Sequence, residues 1–230
     1  MNELLKNSVF FGFALTFASY QLGLMVKKKI DLPITNPLLI AEAFVIVFLL
    51  VFDIDYPVYN AGAQHISYLL TPATVCLAIP LYKQLRILKD NLAAVIGGIT
   101  SGVVTSGVSI FVLSKLFGLS HQYYVTLLPK SITTAIGMGV SEEAGGIAAL
   151  TVVAIIITGL FGNVAGETIL RVFRVRSSIA KGVALGTAAH AIGTSKALEL
   201  GEVEGAMGSL SIAVAGLMTV VVVPMAAGLI

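Results

Sequence analysis

Long apolar stretches follow one another along most of the chain. A helix that crosses a bilayer needs roughly 20 mostly apolar residues. Seven stretches approach or exceed this length, and we number them as segments 1 to 7: 8–26, 34–52, 66–82, 92–117, 147–170, 179–198 and 205–230. The pattern predicts an all-α, polytopic integral membrane protein with about seven transmembrane helices.

One further stretch, 126–146, is too short for a full crossing. It contains Pro129-Lys130 near its start and Glu142-Glu143 near its end. Basic residues gather after segment 1, after segment 3 and between segments 5 and 6: Lys27, Lys28, Lys29, Lys83, Arg86, Lys89, Arg171, Arg174, Arg176 and Lys181. They all face the cytoplasm only if 126–146 dips into the membrane and returns, so the positive-inside rule predicts a re-entrant segment.

The same orientation assigns the acidic loops to the outer side. It places Asp53 and Asp55, and also Glu199, Glu202 and Glu204, opposite the basic residues. Segments 2–4 and segments 5–7 then run in opposite directions, which is typical of transporters built from inverted repeats. We therefore predict one membrane domain, 1–230, with segment 1 peripheral, a first repeat at 34–117 and a second repeat at 147–230.

Composition excludes other classes of protein. Hydrophobic residues make up 57% of the chain, charged residues 11%, and the mean hydropathy is +0.97. Soluble domains carry about 25% charged residues. The net charge of +2 is too small to indicate a nucleic-acid partner. The sequence contains no HExxH, GxSxG, Walker-type glycine loop or CxxC motif, and three scattered His with one Cys make no ligand cluster. We predict no enzymatic activity, no cofactor and no metal.

Two segments are predicted to be broken helices. Segment 3 contains Pro72 and Pro80, and segment 6 is rich in Gly, Thr and Ser over 186–196. Taken singly, prolines that kink a helix and small residues that pack helices would explain each break. Two breaks in matching positions indicate instead a binding site between them, where helix N-termini can face an anion.

The candidate substrate-binding residues come from three polar stretches. They are Thr71, Pro72, Thr74, Lys130, Ser131, Thr133, Thr134, Thr187, His190, Thr194 and Ser195. Lys130 would attract a carboxylate, although a lysine that snorkels to the interface would look the same. His190 and Glu42 are candidates for proton coupling, while a hydrogen-bonded packing role is the alternative for His190. Glu167 and Arg171 have the i,i+4 spacing of a structural ion pair.

Several of these motifs resemble those of the LrgB/CidB family of membrane proteins. The similar runs are LLTPATVCLAIPLY at 69–82, LPKSITT at 128–134, SEEAGG at 141–146, GTAAHAIGT at 186–194 and GEVEGAMGSL at 201–210. The resemblance implies an antiholin-like protein of the bacterial cytoplasmic membrane that modulates murein hydrolases and autolysis. It also implies a separate small membrane partner of the LrgA/CidA type. Plant relatives translocate glycolate and glycerate, and some bacterial members are implicated in pyruvate uptake.

Two functions are therefore open. One is a secondary transporter of small monocarboxylates such as pyruvate, glycolate or glycerate, which the paired helix breaks and Lys130 favour. Coupling to either H⁺ or Na⁺ and a homo-oligomeric assembly are both compatible with it. The other is a non-transporting regulator of murein hydrolase activity that acts through the LrgA/CidA-type partner.

Overall fold

The regular secondary structure in the described part of the chain is helical. The computed structural model describes residues 8, 10–30, 35–69, 72, 75–76 and 78–230. Within these residues the helices are α1 (Phe10–Lys29), α2 (Pro37–Val51), α3 (Tyr56–Ser67), α4 (Ala78–Lys83), α5 (Leu85–Asp90), α6 (Leu92–Phe117), α7 (His121–Leu127), α8 (Thr134–Glu143), α9 (Ala148–Val172), α10 (Ser178–Leu200) and α11 (Glu202–Ala227).

Three of these helices are long and apolar enough to cross a membrane. Among the described residues they are α6, α9 and α11, with 26, 25 and 26 residues. Large apolar side chains such as Val104, Phe161 and Leu217 are exposed on them, as expected where lipid rather than water is the solvent. The all-α class and the membrane character are confirmed. α2 is apolar but has only 15 residues.

The chain forms two compact units, Met1–Cys76 and Leu77–Ile230, and their boundary lies inside segment 3. Segment 3 is not one helix over 66–82, because α3 ends at Ser67 and a turn follows at Tyr68 and Leu69. In the first unit, α1 packs on α2 and α3 through small residues. Gly12 contacts the backbone of Tyr59, where a Cβ would not fit.

In the second unit α6 and α11 run in the same direction. Leu88 and Ile99 pack with Met207 near the start of both helices. Ile110 and Val223 pack together near the end of both helices. We call the end where α6, α10 and α11 begin and α9 finishes the basic end. It carries Lys83, Arg86, Lys89, Arg171, Arg174, Arg176 and Lys181.

The stretch 126–146 begins and ends at the end of this unit that lies opposite the basic end. The backbone N–H of Ile147 donates to Thr126 Oγ1 at 2.8 Å. Thr151 Oγ1 donates to the Thr126 carbonyl at 2.9 Å and to Ser141 Oγ at 2.7 Å. Both ends of the stretch therefore lie together at the start of α9.

Helix α10 folds back on itself. Ala189 (φ −132°, ψ 21°) and His190 (φ 43°, ψ −136°) have non-helical backbone angles. Eight residues of straight helix would separate Leu185 from Gly193 by about 12 Å. Instead, a Cβ on Gly193 would collide with the Leu185 carbonyl oxygen. α10 is thus a hairpin with an outgoing arm, 178–188, and a return arm, 191–200. The predicted break in segment 6 is confirmed at 189–190.

The predicted crossing of segment 6 is wrong, because its two ends lie together. Lys181 and Leu200 line the same recess at the basic end. Glu199, Glu202 and Glu204 therefore lie at the basic end and not opposite it. Segment 7 accordingly runs the other way from the prediction. Acidic residues contribute little to membrane orientation, so their position was a weak guide, and the proposed inversion of segments 5–7 loses its topological basis.

Labelling of single cysteines will test the fold-back of α10. In a Cys76→Ser background, we expect Glu202→Cys to react with a membrane-impermeant maleimide from the same side as Arg176→Cys. Lys115→Cys, at the other end of α6, should react only from the opposite side. Labelling of Glu202→Cys together with Lys115→Cys would mean that segment 6 crosses fully.

Candidate functional site

A cleft of about 660 Å³ lies between α6 and the outgoing arm of α10. Its lining is mostly apolar, and we call it the polar cleft after the row of hydroxyl groups along one wall. One face of α6 supplies most of its polar wall, because residues three or four apart in a helix point the same way. These residues are Ser101, Thr105, Ser106 and Ser109, and Asn91 adds an amide just before the helix. They were not among the predicted site residues, although Ser101, Thr105 and Ser109 have a visible i,i+4 spacing within an otherwise apolar helix.

The turn of the 126–146 stretch brings a cation to this cleft. Half-buried Lys130 and buried Ser131 both line it. Lys130 Nζ donates to Ser131 Oγ at 3.1 Å, and the Ser131 and Ser106 hydroxyl oxygens are 3.3 Å apart. Lys130 is the one ionisable side chain among the residues that line the cleft. The local charge is therefore positive and not neutralised by a carboxylate in the lining.

Thr187, on the outgoing arm of α10, also lines the cleft, and its hydroxyl group is buried and unsatisfied. The residue is 6% exposed, and its Oγ1 has no hydrogen-bond partner within the described part of the chain. An unpaired buried hydroxyl costs about 1–3 kcal/mol, which a polar ligand would recover once the Thr187 side chain rotates its hydroxyl into the cleft. Gly102 permits this approach of the two helices, since a Cβ there would lie 2.6 Å from Thr187 Cγ2.

His190 points away from the cleft and toward α9. Its Nε2 donates to the Ile155 carbonyl oxygen at 2.9 Å, and the residue is 4% exposed. Gly159 leaves room for the ring, because a Cβ there would stand 2.7 Å from His190 Cε1. This geometry favours the packing interpretation of His190, in which the imidazole supports the turn of the α10 hairpin.

The return arm of α10 is joined to α9 by polar contacts. Asn163 Nδ2 donates to the Ile192 carbonyl at 2.9 Å. Lys196 Nζ lies 3.2 Å from a Glu167 carboxylate oxygen. The predicted ion pair between Glu167 and Arg171 is confirmed at 3.1 Å. These contacts supply polar partners to a hairpin whose backbone is irregular at its tip, as membrane depth demands.

The cleft brings together only part of the predicted site. Lys130, Ser131 and Thr187 line it. The other candidates are placed elsewhere: Thr133 and Thr134 are half-buried at the start of α8, Thr194 is buried in the return arm, Ser195 is exposed, and in the first unit Pro72 is exposed and Glu42 half-buried. Thr71 and Thr74 lie outside the described residues.

Hydroxyl groups around one ammonium group are suited to a small anion. An ammonium–carboxylate hydrogen bond is charge-assisted and about twice as strong as a neutral one, and serine and threonine can donate to the remaining oxygens. Within the described residues, no group of three or more His, Cys, Asp or Glu side chains could hold a metal ion.

Comparison with known proteins identifies the family. The model of the LrgB-like family matches residues 16–229. The chain belongs to this family. The LrgB-like protein is 41% identical over 210 residues to the holin-like protein CidB of Staphylococcus aureus (strain N315), covering 91% of this chain and 92% of that one. It is 40% identical over 217 residues to the antiholin-like protein LrgB of Bacillus cereus (strain B4264), with 94% of each chain covered. No solved structure matches it.

Proposed function

We propose that this LrgB-like protein is a holin-like or antiholin-like regulator that controls murein hydrolase activity and autolysis. The observation that carries the proposal is its similarity to the holin-like CidB and the antiholin-like LrgB, at 41% and 40% identity over more than nine-tenths of each chain. A match of that extent includes the helices and both returning segments, and not only a local motif.

The proposed location is the bacterial cytoplasmic membrane, which the protein would cross several times. In the second unit, α6, α9 and α11 would be the crossing helices, and the basic end would face the cytoplasm. The stretch 126–146 and the α10 hairpin would then enter the membrane from opposite sides. The separation of the two returning segments, each fastened at its own end, supports this arrangement.

A small membrane protein of the LrgA/CidA type is the proposed partner. Regulation of hydrolases outside the cell requires a signal across the membrane, and a holin-like partner would supply it. Comparison of bacteria that lack this protein with complemented bacteria would test the regulatory role. We expect a changed rate of detergent-induced lysis and a changed pattern of secreted murein hydrolases, both restored by the intact gene. Identical lysis and hydrolase patterns in the two strains would reject it.

A second candidate function, transport of a small monocarboxylate, is favoured by the polar cleft. Its lining contains one ammonium group, several hydroxyl groups and the unsatisfied Oγ1 of Thr187. A polar cavity beside two interrupted segments is the arrangement in which many transporters bind their substrates. Lys130 would bind the carboxylate, and Ser131 and Thr187 would contact its oxygens.

The remaining predicted residues would act less directly in such a carrier. Thr133 and Thr134 would hold the start of α8 next to the turn that carries Lys130. Thr194 would remain in the return arm of α10, outside the cleft lining. His190 would hold the hairpin against α9, since its Nε2 already binds the Ile155 carbonyl. A movement of either returning segment would open the cleft toward one side at a time. Glu42 stays a candidate for proton coupling.

A further inference from the structure

A second polar cavity lies at the basic end, where α9 turns into α10. We call this cavity, of about 450 Å³, the basic recess. Its cationic residues are Arg171, Arg174, Arg176 and Lys181. The left-handed backbone of Arg174 (φ 54°) turns the chain sharply at this point. As a result, residues from the end of one helix and the beginning of the next surround one space.

The charge in the basic recess is not balanced from within. Glu167 is its one acidic residue, and the Glu167 carboxylate already contacts Arg171 at 3.1 Å and Lys196 at 3.2 Å. Within the described part of the chain, no carboxylate lies in ion-pair contact with Arg174, Arg176 or Lys181. Three cations therefore remain for an external anion.

The floor of the basic recess is apolar. Leu170, Val175 and Leu200 form it, as part of a cluster that includes buried Leu185. Val172 ends α9 and Phe173 follows it; both lie outside the recess lining and are 70% and 77% accessible. A cationic rim above an apolar floor, at the end of an apolar helix, suits an amphiphile with an anionic head.

We propose that the basic recess binds the phosphodiester headgroup of an anionic phospholipid. Basic pockets between helices at the cytoplasmic face are the sites where anionic headgroups bind membrane proteins. Arginine guanidinium groups hold phosphate oxygens through paired hydrogen bonds. The start of the acyl chains would cover the apolar lining formed by Leu170, Val175 and Leu200, which a soluble phosphate would leave uncovered. The inference depends on the membrane location of the protein and on neither proposed function.

Intact mass spectrometry of the full chain in detergent micelles will test the proposal. Phosphatidylglycerol and phosphatidylcholine are titrated separately, and bound lipids are counted. The test variant is Arg174→Gln/Arg176→Gln/Lys181→Gln. Its matched control is Lys83→Gln/Arg86→Gln/Lys89→Gln, which removes the same charge from the same end but outside the recess lining. Each cation near an anionic lipid surface contributes about 1 kcal/mol, or about fivefold in affinity.

We expect one phosphatidylglycerol to bind preferentially over phosphatidylcholine, and the test variant to lose that preference while the control keeps it. Equal losses in the two variants would overturn the proposal, because they would reflect net charge alone. Glycerol phosphate that displaces the lipid at comparable concentration would overturn the lipid assignment in favour of a soluble anion. If the triple variant does not fold, the single variant Arg176→Gln must show the same direction of change by about fivefold.

Discussion

Replacing Lys130 with methionine is expected to abolish saturable uptake of small monocarboxylates by reconstituted protein. Lys130 is the one ionisable side chain among the residues that line the polar cleft, and its Nζ is positioned by Ser131 at 3.1 Å. Loss of one member of a buried charge pair costs about 2 kcal/mol or more, so initial rates should fall at least about 30-fold. The measurement is uptake of labelled pyruvate and glycolate into proteoliposomes, with and without the small partner protein.

Lys115→Met is the matched control for Lys130→Met. Lys115 is an exposed lysine at the end of α6 and does not line the cleft. We expect wild-type uptake from it, and partial uptake from Lys130→Arg, which keeps the charge with a different shape. Equal rates in Lys130→Met and wild type would remove Lys130 from the site. Absence of uptake by the wild type under both conditions would leave the regulatory function alone.

Gly186→Ala is expected to destabilise the second unit by about 1–3 kcal/mol, the usual cost of overpacking a core. A Cβ at Gly186 would stand 2.5 Å from the Gly208 carbonyl oxygen and 2.8 Å from its Cα. Both atoms belong to the backbone and cannot rotate away. α10 and α11 would have to separate, which would loosen the neighbouring contact of Val183 with Met207. Thermal unfolding in detergent, followed by loss of the monodisperse peak, measures the effect.

Gly97→Ala is the control for this prediction, and its effect should have the opposite sign. Gly97 lies in α6 with nothing within 4 Å of the position of a Cβ. Alanine is favoured over glycine in a helix interior by about 1 kcal/mol. We expect unchanged or raised thermal stability. If both glycine variants unfold at the same temperature, the close approach of α10 to α11 is not what makes Gly186 necessary.

The two proposed functions place different demands on the same fold. A regulator requires a membrane protein with surfaces for its partner, and the polar cleft would be incidental to it. A carrier requires the cleft, and it also requires that the returning segments move. Lysis measurements on bacteria that carry Lys130→Met therefore connect the two. Normal lysis control without uptake would show that regulation does not depend on transport.

Much of the second unit could be predicted from local patterns. The apolar run from Leu92 to Phe117 fixed the bounds of α6, because Asn91 precedes it and Gly118 ends it in a left-handed conformation. A long apolar run forms a helix in a bilayer whatever its neighbours are, because no water is present there to bind its backbone N–H and C=O groups. The same local reasoning predicted the Glu167–Arg171 ion pair and the interruption of segment 6.

The candidate site was predicted only in part, because it depends on which helix faces meet. Lys130 and Thr187 are polar residues in unusual places, so the sequence alone singles them out. The hydroxyl face of α6 has only its i,i+4 spacing as a signal, and this spacing is a weak one because Ser and Thr are common in membrane helices and usually bond to their own backbone. His190 has a strong local signal, but its contact with Ile155 on α9 arises from long-range packing.

The sequence by itself indicated that lipid surrounds this protein, where its long apolar helices lie and which residues form its basic end. These properties depend on composition and on the order of residues along the chain. Only the tertiary structure decided that α10 returns to the end where it began, and hence that Glu199, Glu202 and Glu204 lie among the basic residues. The physical reason is that a break can either kink a helix or reverse it. α9, which packs against both arms through Gly166 and Asn163, selects the reversal.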